Sequence, residues 1–357
     1  MLAKSVHQFH IKLSAGDAIS NQVLGIRRLL HNLGYRSEVF CEQVPVGLHV
    51  QAKHFTQYKR YTSADSILLL HFSTAYSPVV MEWLAQLPDR KVLIYHNITP
   101  HTYFAGINDV YMAASKAGRE QLPDLQSLTC AGWADSAYNA QELISVGWEQ
   151  TGVLPIIFDA RRYQKTRPDR AVLQRFPGTN LLFVGRVAPN KCFEDLILTF
   201  TYLKRRVCPA ARLLLVGSSA RMQVYLDYLH TLVKRLALED VVFTGHVSDR
   251  VLMAYYRSAS VYLSMSEHEG FGVPLLESMH FGVPVVAYKA AAVPETLGDS
   301  GMLITQKVYP YIAELLGILI ADQELRQKII AGQRERLKEF APERIQERLR
   351  TLLHELE

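Results

Sequence analysis

Residues 261–282 read VYLSMSEHEGFGVPLLESMHFG. The opening VYLSMS is apolar or small throughout, as in a strand covered on both faces. EHEGFG then reads as a loop, and PLLESMHFG as a short helix expected over 274–281. Pro274 suits a first helical position, because the N–H it lacks would find no partner there. Gly270 and Gly272 permit close backbone approach and unusual φ angles. A loop that feeds a helix N-terminus offers unpaired N–H donors and a positive dipole end. Such a seat fits a phosphate or a sugar hydroxyl. Glu269 and Glu277 stand eight positions apart on either side of it. The dipole alone favours an acid at Glu277, whereas Glu269 has no such local reason.

The same grammar runs outward through the chain. The first half offers VHQF, SEVFC, SILLLHF, KVLIYHN, LTCAGWADS and GVLPI; the second offers LLFVG, RLLLVG, VVFTG, VYLSMS, PVVAY and GMLI. These runs are short, rich in Val, Ile and Leu, and apolar almost throughout, as in strands of a buried parallel sheet. Helical stretches fill the gaps. In residues 17–33, Ile19, Val23, Ile26, Leu30 and Leu33 form one stripe, with Gly34 placed to end the helix. Residues 219–238, 248–259 and 322–340 read likewise as helices. The expectation is an α/β chain of two successive Rossmann-like βαβ domains. Their boundaries are expected at 1–163 and 164–340, within a charged seam over 156–180. A final amphipathic helix, 341–357, carries Ile345, Leu349, Leu352 and Leu353 on one side and could pack on either domain.

Bulk properties exclude several classes. The 357 residues are 49% hydrophobic, which suits two ordinary cores. A net charge of +5 without a basic tail argues against a nucleic-acid partner. Cys41, Cys130, Cys192 and Cys208 lie far apart, so neither a zinc ribbon nor a redox pair is expected. The N-terminal MLAKSVHQFHIKLSAGD lacks the apolar core of a signal peptide, and nowhere do about 18 apolar residues run together. A cytoplasmic setting is expected, with membrane contact limited to peripheral docking at the inner face. G-x-G-x-x-G fails because Leu275 stands where the third glycine belongs. The P-loop, G-x-S-x-G, H-E-x-x-H and Asp-x-Asp motifs do not occur, which weakens dehydrogenase, NTPase, esterase and zinc-protease readings. No metal site is expected.

At this point the sequence resembles a family. SEHEGFGVPLLESMHFGVPVVAYKAAAVPET is similar to the E-x7-E signature of retaining glycosyltransferases of family 4. FVGRVAPNKCFEDLI looks like that family's Gly-Arg-(x)-Lys stretch, and LLLVGS, VVFTGHVSD and LMAYYRSASVYLSMS follow in the expected order. The match is good over roughly 128–304 and looser before it. The resemblance implies the GT-B arrangement, two Rossmann-like domains facing a cleft. It also implies a nucleotide-sugar donor, a GDP- or UDP-hexose, and no cofactor or metal. Arg186 and Lys191 match the family's diphosphate-binding cations. Glu277 matches the glutamate on the ribose hydroxyls, and Glu269 the one near the donor sugar. Gly270, Phe271, Gly272 and Val273 line the diphosphate and sugar seat, and His246 and Val247 the base. Gly16 matches a loop glycine near the phosphates or acceptor, although Ala-Gly-Asp replaces the usual Gly-Gly. Asp17 beside it reads equally as a helix N-cap. His96, in YHNITPH, matches a histidine facing the donor sugar, with Asn97 and His101 as alternatives.

The chemistry agrees with these assignments. Sugar transfer expels a nucleoside diphosphate, and side-chain cations with helix-end N–H groups can neutralise the leaving charge. The expected activity is retaining, metal-independent transfer of a mannosyl- or glucosyl-type unit to a glycan or lipid-linked acceptor hydroxyl. Bacterial surface-polysaccharide assembly is the setting the resemblance implies. A glycosidase would also use two carboxylates but has no use for diphosphate cations. A GT-B nucleotide-sugar 2-epimerase and a non-catalytic nucleotide-sugar binder remain as alternatives.

Overall fold

The computed structural model describes residues 5–14, 16–44, 51–164 and 166–356. Among them lie thirteen strands: β1 (Val6–Lys12), β2 (Val39–Gln43), β3 (Lys53–His54), β4 (Ile67–Phe72), β5 (Arg90–Tyr95), β6 (Ala131–Ala134), β7 (Thr151–Val153), β8 (Asn180–Val184), β9 (Arg212–Val216), β10 (Val241–Phe243), β11 (Val261–Ser264), β12 (Val285–Tyr288) and β13 (Met302–Ile304). They form two wholly parallel sheets, ordered β3-β2-β1-β4-β5-β6-β7 and β10-β9-β8-β11-β12-β13. Each order reverses once, between β1 and β4 and between β8 and β11. In doubly wound sheets, ligands bind outside the carboxyl ends of the strands at that reversal.

Side-chain alternation explains why the strand sequences are apolar throughout. Leu68, Leu70 and Phe72 of β4 join Leu93 and Tyr95 in one core beneath the first sheet. Leu69 joins Val92 and Ile94 in a second core on the opposite face. Successive residues point to opposite faces, and both faces are covered, so no position along the strand can be polar without a partner.

The helix expected over 17–33 is Ala18–Asn32, with Val23, Ile26 and Leu30 buried as the stripe requires. Asp17 caps it, accepting from the Ser20 backbone N–H at 2.8 Å. The helix of the opening stretch runs Val273–His280, starting one residue before Pro274. The stretch 219–238 shortens to Gln223–Arg235, and 322–340 becomes Gln323–Leu337 followed by a 3-10 turn, Lys338–Phe340.

The chain divides into two compact units. One comprises residues 1–101, 110–158 and 340–357, the other 102–109 and 159–339. The division falls after Phe158 rather than after residue 163, because Arg162 and Tyr163 bond to Asp249 and Glu277 of the second unit. Residues 102–109, expected in the first domain, lie with the second unit. Tyr103 packs near His268, and Asn108 Nδ2 donates to the Arg221 carbonyl at 2.5 Å. The last helix, Pro342–His354, belongs to the first unit. Its Ile345, Leu349, Leu352 and Leu353 enter the core with Val6, Ile26 and Trp133. No helix among the described residues is long and apolar enough to cross a membrane.

Candidate functional site

In the second unit, the loop after β8 carries Arg186 and Lys191, and the loop after β11 carries Glu269. The two strands are neighbours at the reversal of strand order. The turn Pro189–Lys191 follows β8, and Cys192, in the left-handed conformation with φ 49°, starts the helix Phe193–Tyr202. Lys191 Nζ lies 2.5 Å from Glu269 Oε2, both side chains being less than one-fifth exposed. Asn190 binds the two loops together: its carbonyl accepts from the Glu267 N–H at 3.0 Å, and its Nδ2 donates to the His268 carbonyl at 2.9 Å. Arg186 is exposed on the same loop.

Glycines shape this end of the sheet. Gly217 follows β9 with φ 152°, and a Cβ there would lie 1.9 Å from the Gly185 carbonyl oxygen. Gly217 N–H bonds to the Gly245 carbonyl, and Gly185 N–H to that of Val216, so the ends of β8, β9 and β10 meet without side chains between them. Gly272, at φ 93°, caps the helix Val273–His280 in the left-handed conformation. That turn brings Phe271, Gly272 and Val273 to the helix N-terminus; Pro274 has no N–H and Leu275 N–H bonds to the Gly272 carbonyl at 2.9 Å, so the helix's own bonding leaves over the N–H groups of Gly272 and Val273. His246 is exposed and Val247 half-buried on the loop after β10.

Glu277 lies deeper than a surface grip would. It is 5% exposed, and both oxygens are engaged. Tyr163 O–H donates to Oε1 at 2.5 Å and Tyr256 O–H to Oε2 at 2.7 Å. Tyr163 stacks on His280 and meets Phe281 edge-on, and Tyr256 stacks on Phe281. Burial, reinforced by the Glu277 charge, pushes both phenols well above their usual range, so they remain donors. A carboxylate has roughly four lone-pair positions, which leaves room for further donors.

The sequence reading missed a second ionic bridge. Lys307 Nζ lies 2.6 Å from Asp195 Oδ2 and 2.8 Å from Glu267 Oε1, and Tyr309 O–H donates to Asp195 Oδ1 at 2.7 Å. Burial opposes the charge on Lys307, but its bonds to Asp195 and Glu267 outweigh it and raise its pKa. Ligand atoms of Cys192, Asp195 and Glu267 lie within 4.8 Å of one another, close enough to hold a metal ion. Lys307 already supplies a positive charge to both carboxylates, and burial pushes the Cys192 thiol up to about 12.

In the first unit, a polar chain crosses the carboxyl ends of β1, β4, β5 and β6. His96 directly follows β5, and its ring is fully enclosed. Its Nδ1 lies 2.9 Å from Asp135 Oδ2, and its Nε2 lies 2.8 Å from His71 Nδ1. The two rings stack at 5.1 Å. His71 Nε2 in turn faces Gln8 Oε1 at 2.9 Å. Gln8 Nε2 has no hydrogen-bond partner among the described residues. Turning that amide over makes Gln8 the donor. His71 Nδ1–H then donates to His96 Nε2, and His96 Nδ1–H to Asp135. Burial first, and then the neighbouring histidines, holds His71 far below its ordinary pKa. Burial likewise brings His10, 3.3 Å from the His71 carbonyl, down to about 4.

The expected site residues thus fall into two groups. Lys191, Glu269, Gly270, Phe271, Gly272, Val273 and Glu277 share the β8–β11 end of the second sheet. His96 belongs to a buried network of the first unit, and both its ring nitrogens are already engaged there. Asn97, at φ 68°, donates to Asn139 Oδ1 at 2.8 Å, and His101 is half-buried at the start of a 3-10 turn. Gly16, at φ 77°, lies on the loop before the helix capped by Asp17. A signal for His71 was present: a histidine within the apolar run LLLHF needs a buried partner. Nothing local marked Lys307.

Two parallel-sheet α/β units of this topology define a GT-B fold, and the second unit carries a Lys–Glu pair on the loops that follow β8 and β11. Residues 169–336 match the family model described as glycosyl transferases group 1. Over 123 residues the chain is 32% identical to O-antigen chain mannosyltransferase B of Escherichia coli, covering 34% of this chain and 32% of that protein. It is 35% identical over 151 residues to mannosylfructose-phosphate synthase of Agrobacterium fabrum, covering 40% and 31%. The chain therefore spans about a third of the length of these curated relatives. Among solved structures, Anabaena Alr3699/HepE in complex with UDP-glucose superposes with a TM-score of 0.75 at 18% identity, covering 98% of this chain and 99% of that one. Sucrose-phosphate synthase from Thermosynechococcus elongatus gives 0.73 at 17%, covering 99% of each. At such identities the likeness establishes the fold.

Proposed function

We propose that this chain transfers a hexosyl unit from a nucleoside-diphosphate sugar to an acceptor hydroxyl, with retention and without a metal. The observation that carries the reading is the Lys191–Glu269 pair at the strand reversal, beside the N-terminus of Val273–His280. The bond between the anomeric carbon and the diphosphate oxygen breaks, and one to the acceptor oxygen forms. The acceptor's proton leaves with the departing diphosphate. Lys191, Arg186 and the N–H groups around Gly272 take up the negative charge that develops there. Glu269, released from Lys191 by the incoming phosphate, turns to the sugar. Glu277 uses its remaining lone pairs for the ribose, and His246 and Val247 flank the base.

The mannosyltransferase name of the E. coli relative favours GDP-mannose, and the UDP-glucose bound in the Anabaena structure favours a UDP-hexose. The acceptor on this reading is a glycan or lipid-linked glycan, reached by peripheral docking at the inner membrane face.

Thermal-shift titration with UDP and GDP tests the donor site. A ligand at 100 times its Kd stabilises the native state by about 2.7 kcal/mol. That corresponds to roughly 5–10 °C for a unit of about 150–250 residues. Lys191→Ala should abolish the shift. Glu269→Gln should mainly lower kcat, and Glu277→Gln should mainly weaken nucleotide binding. No shift with either nucleotide at millimolar concentration would sink the proposal.

A further inference from the structure

Besides the Asn190 hydrogen bonds, two ionic bridges join the loops that carry Lys191 and Glu269. The first bridge is the Lys191–Glu269 pair itself. The second is Lys307, which spans Asp195, four residues beyond Lys191, and Glu267, two residues before Glu269. Both bridges therefore connect the same two segments, at the ends of β8 and β11. The first one cannot survive substrate: a diphosphate draws Lys191 away, and a sugar draws Glu269 away. The segments that must stay in register during turnover then keep the Asn190 hydrogen bonds and, as their ionic link, the Lys307 bridge.

We propose that Lys307 is a positioning residue that holds the loop after β11 against the turn after β8 once donor has opened the Lys191–Glu269 pair. The geometry suits a permanent strut. Lys307 is mostly enclosed, its ammonium lies 4.7 Å from the centre of the Tyr288 ring, and Tyr309 fixes the other oxygen of Asp195. Its two ionic contacts are both to strut residues, Asp195 and Glu267, so it acts on the reaction through them. The part of the inference that concerns turnover rests on the donor site proposed above; the mechanical part does not.

Two measurements separate these parts. Hydrogen–deuterium exchange of peptides spanning 266–272 reads the strut without any nucleotide. Lys307→Met alone and Lys191→Ala alone should each leave exchange within about twofold of the parent protein, because one bridge remains. The double variant should exchange at least tenfold faster. A double variant as protected as the parent overturns the proposal, whatever becomes of the donor site. Nucleoside-diphosphate release from UDP-glucose and GDP-mannose reads the role in turnover. Lys307→Met should lower kcat at least tenfold with donor KM within threefold, and Lys307→Arg should recover most of that loss. An unchanged kcat, or a loss that falls on KM instead, overturns it. Glu267→Gln, on a half-exposed side chain, should lower kcat in the same direction and serves if Lys307→Met misfolds. Failure of the parent protein to bind or turn over either nucleotide sugar refutes the donor site, and the exchange experiment still decides the strut.

Discussion

Tyr163→Phe isolates the bond that ties the seam between the units to Glu277. The substitution removes one oxygen and leaves the ring, which keeps its contacts with His280 and Phe281 at 5.1 and 5.2 Å. What disappears is a 2.5 Å O–H donor to a carboxylate that is 5% exposed. Arg162 Nη1 is 4.0 Å away and about one-third exposed, too far to replace it. A hydrogen bond to a buried charge contributes about 1.5–3 kcal/mol. A loss of about 2 kcal/mol lowers the melting temperature of a unit of about 150–250 residues by roughly 4–8 °C. Scanning calorimetry should show that loss in the transition of the second unit alone. In a Glu277→Gln background the same change should cost much less, since the charge that strengthened the bond is gone. A Tyr163→Phe protein within about 0.5 kcal/mol of its parent, on the scale of an uncharged exposed contact, would refute the argument that the seam is anchored by this bond.

Two further outcomes follow from the geometry. Burial lowers His7 and His10 to about 4, so the folded first unit favours their neutral forms. Their stabilising contribution is complete above about pH 6.5 and is lost as pH falls toward 4, up to about 3 kcal/mol for each. The melting temperature of that unit should fall over this window, and His10→Gln should make the fall shallower; an unchanged profile for the variant would remove His10 from the account. Gly217→Ala places a methyl 1.9 Å from the Gly185 carbonyl oxygen, whereas Gly245→Ala, at φ 69°, meets open space. Melting should show a loss of more than about 4 kcal/mol for the first and about 1–2 kcal/mol for the second; equal losses would mean the strand ends are not packed as described.

Much of the fold was legible in the chain. Runs such as LLFVG and SILLLHF state that both faces of a strand are covered, and the stripe from Ile19 to Leu33 states that one helix face is. The glycine loop before Pro274 announced the start of a helix. Less of the candidate site was legible. The EGFG loop and the Arg–Lys stretch could be named, but not the way their side chains are shared. Glu277 reads as an acid favoured by the helix dipole, yet two tyrosines enclose it, one from the charged seam 114 positions earlier. His96 reads as a strand-end histidine, yet His71 and Asp135 hold both of its nitrogens.

The sequence by itself determined the elements, the parallel character of the sheets and the glycine loop that opens the helix at Val273. These follow from local rules: the periods of 2 and 3.6, the fixed φ of proline and the freedom of glycine. Only the tertiary structure decided that the last helix lies against Val6 and Trp133, that Tyr163 reaches Glu277, and that Lys307 bridges Asp195 and Glu267. An apolar stripe specifies that a face must be buried, but not against what. A single lysine or tyrosine carries no period at all, so its partner exists only once the strand order has brought distant loops to the same end of a sheet.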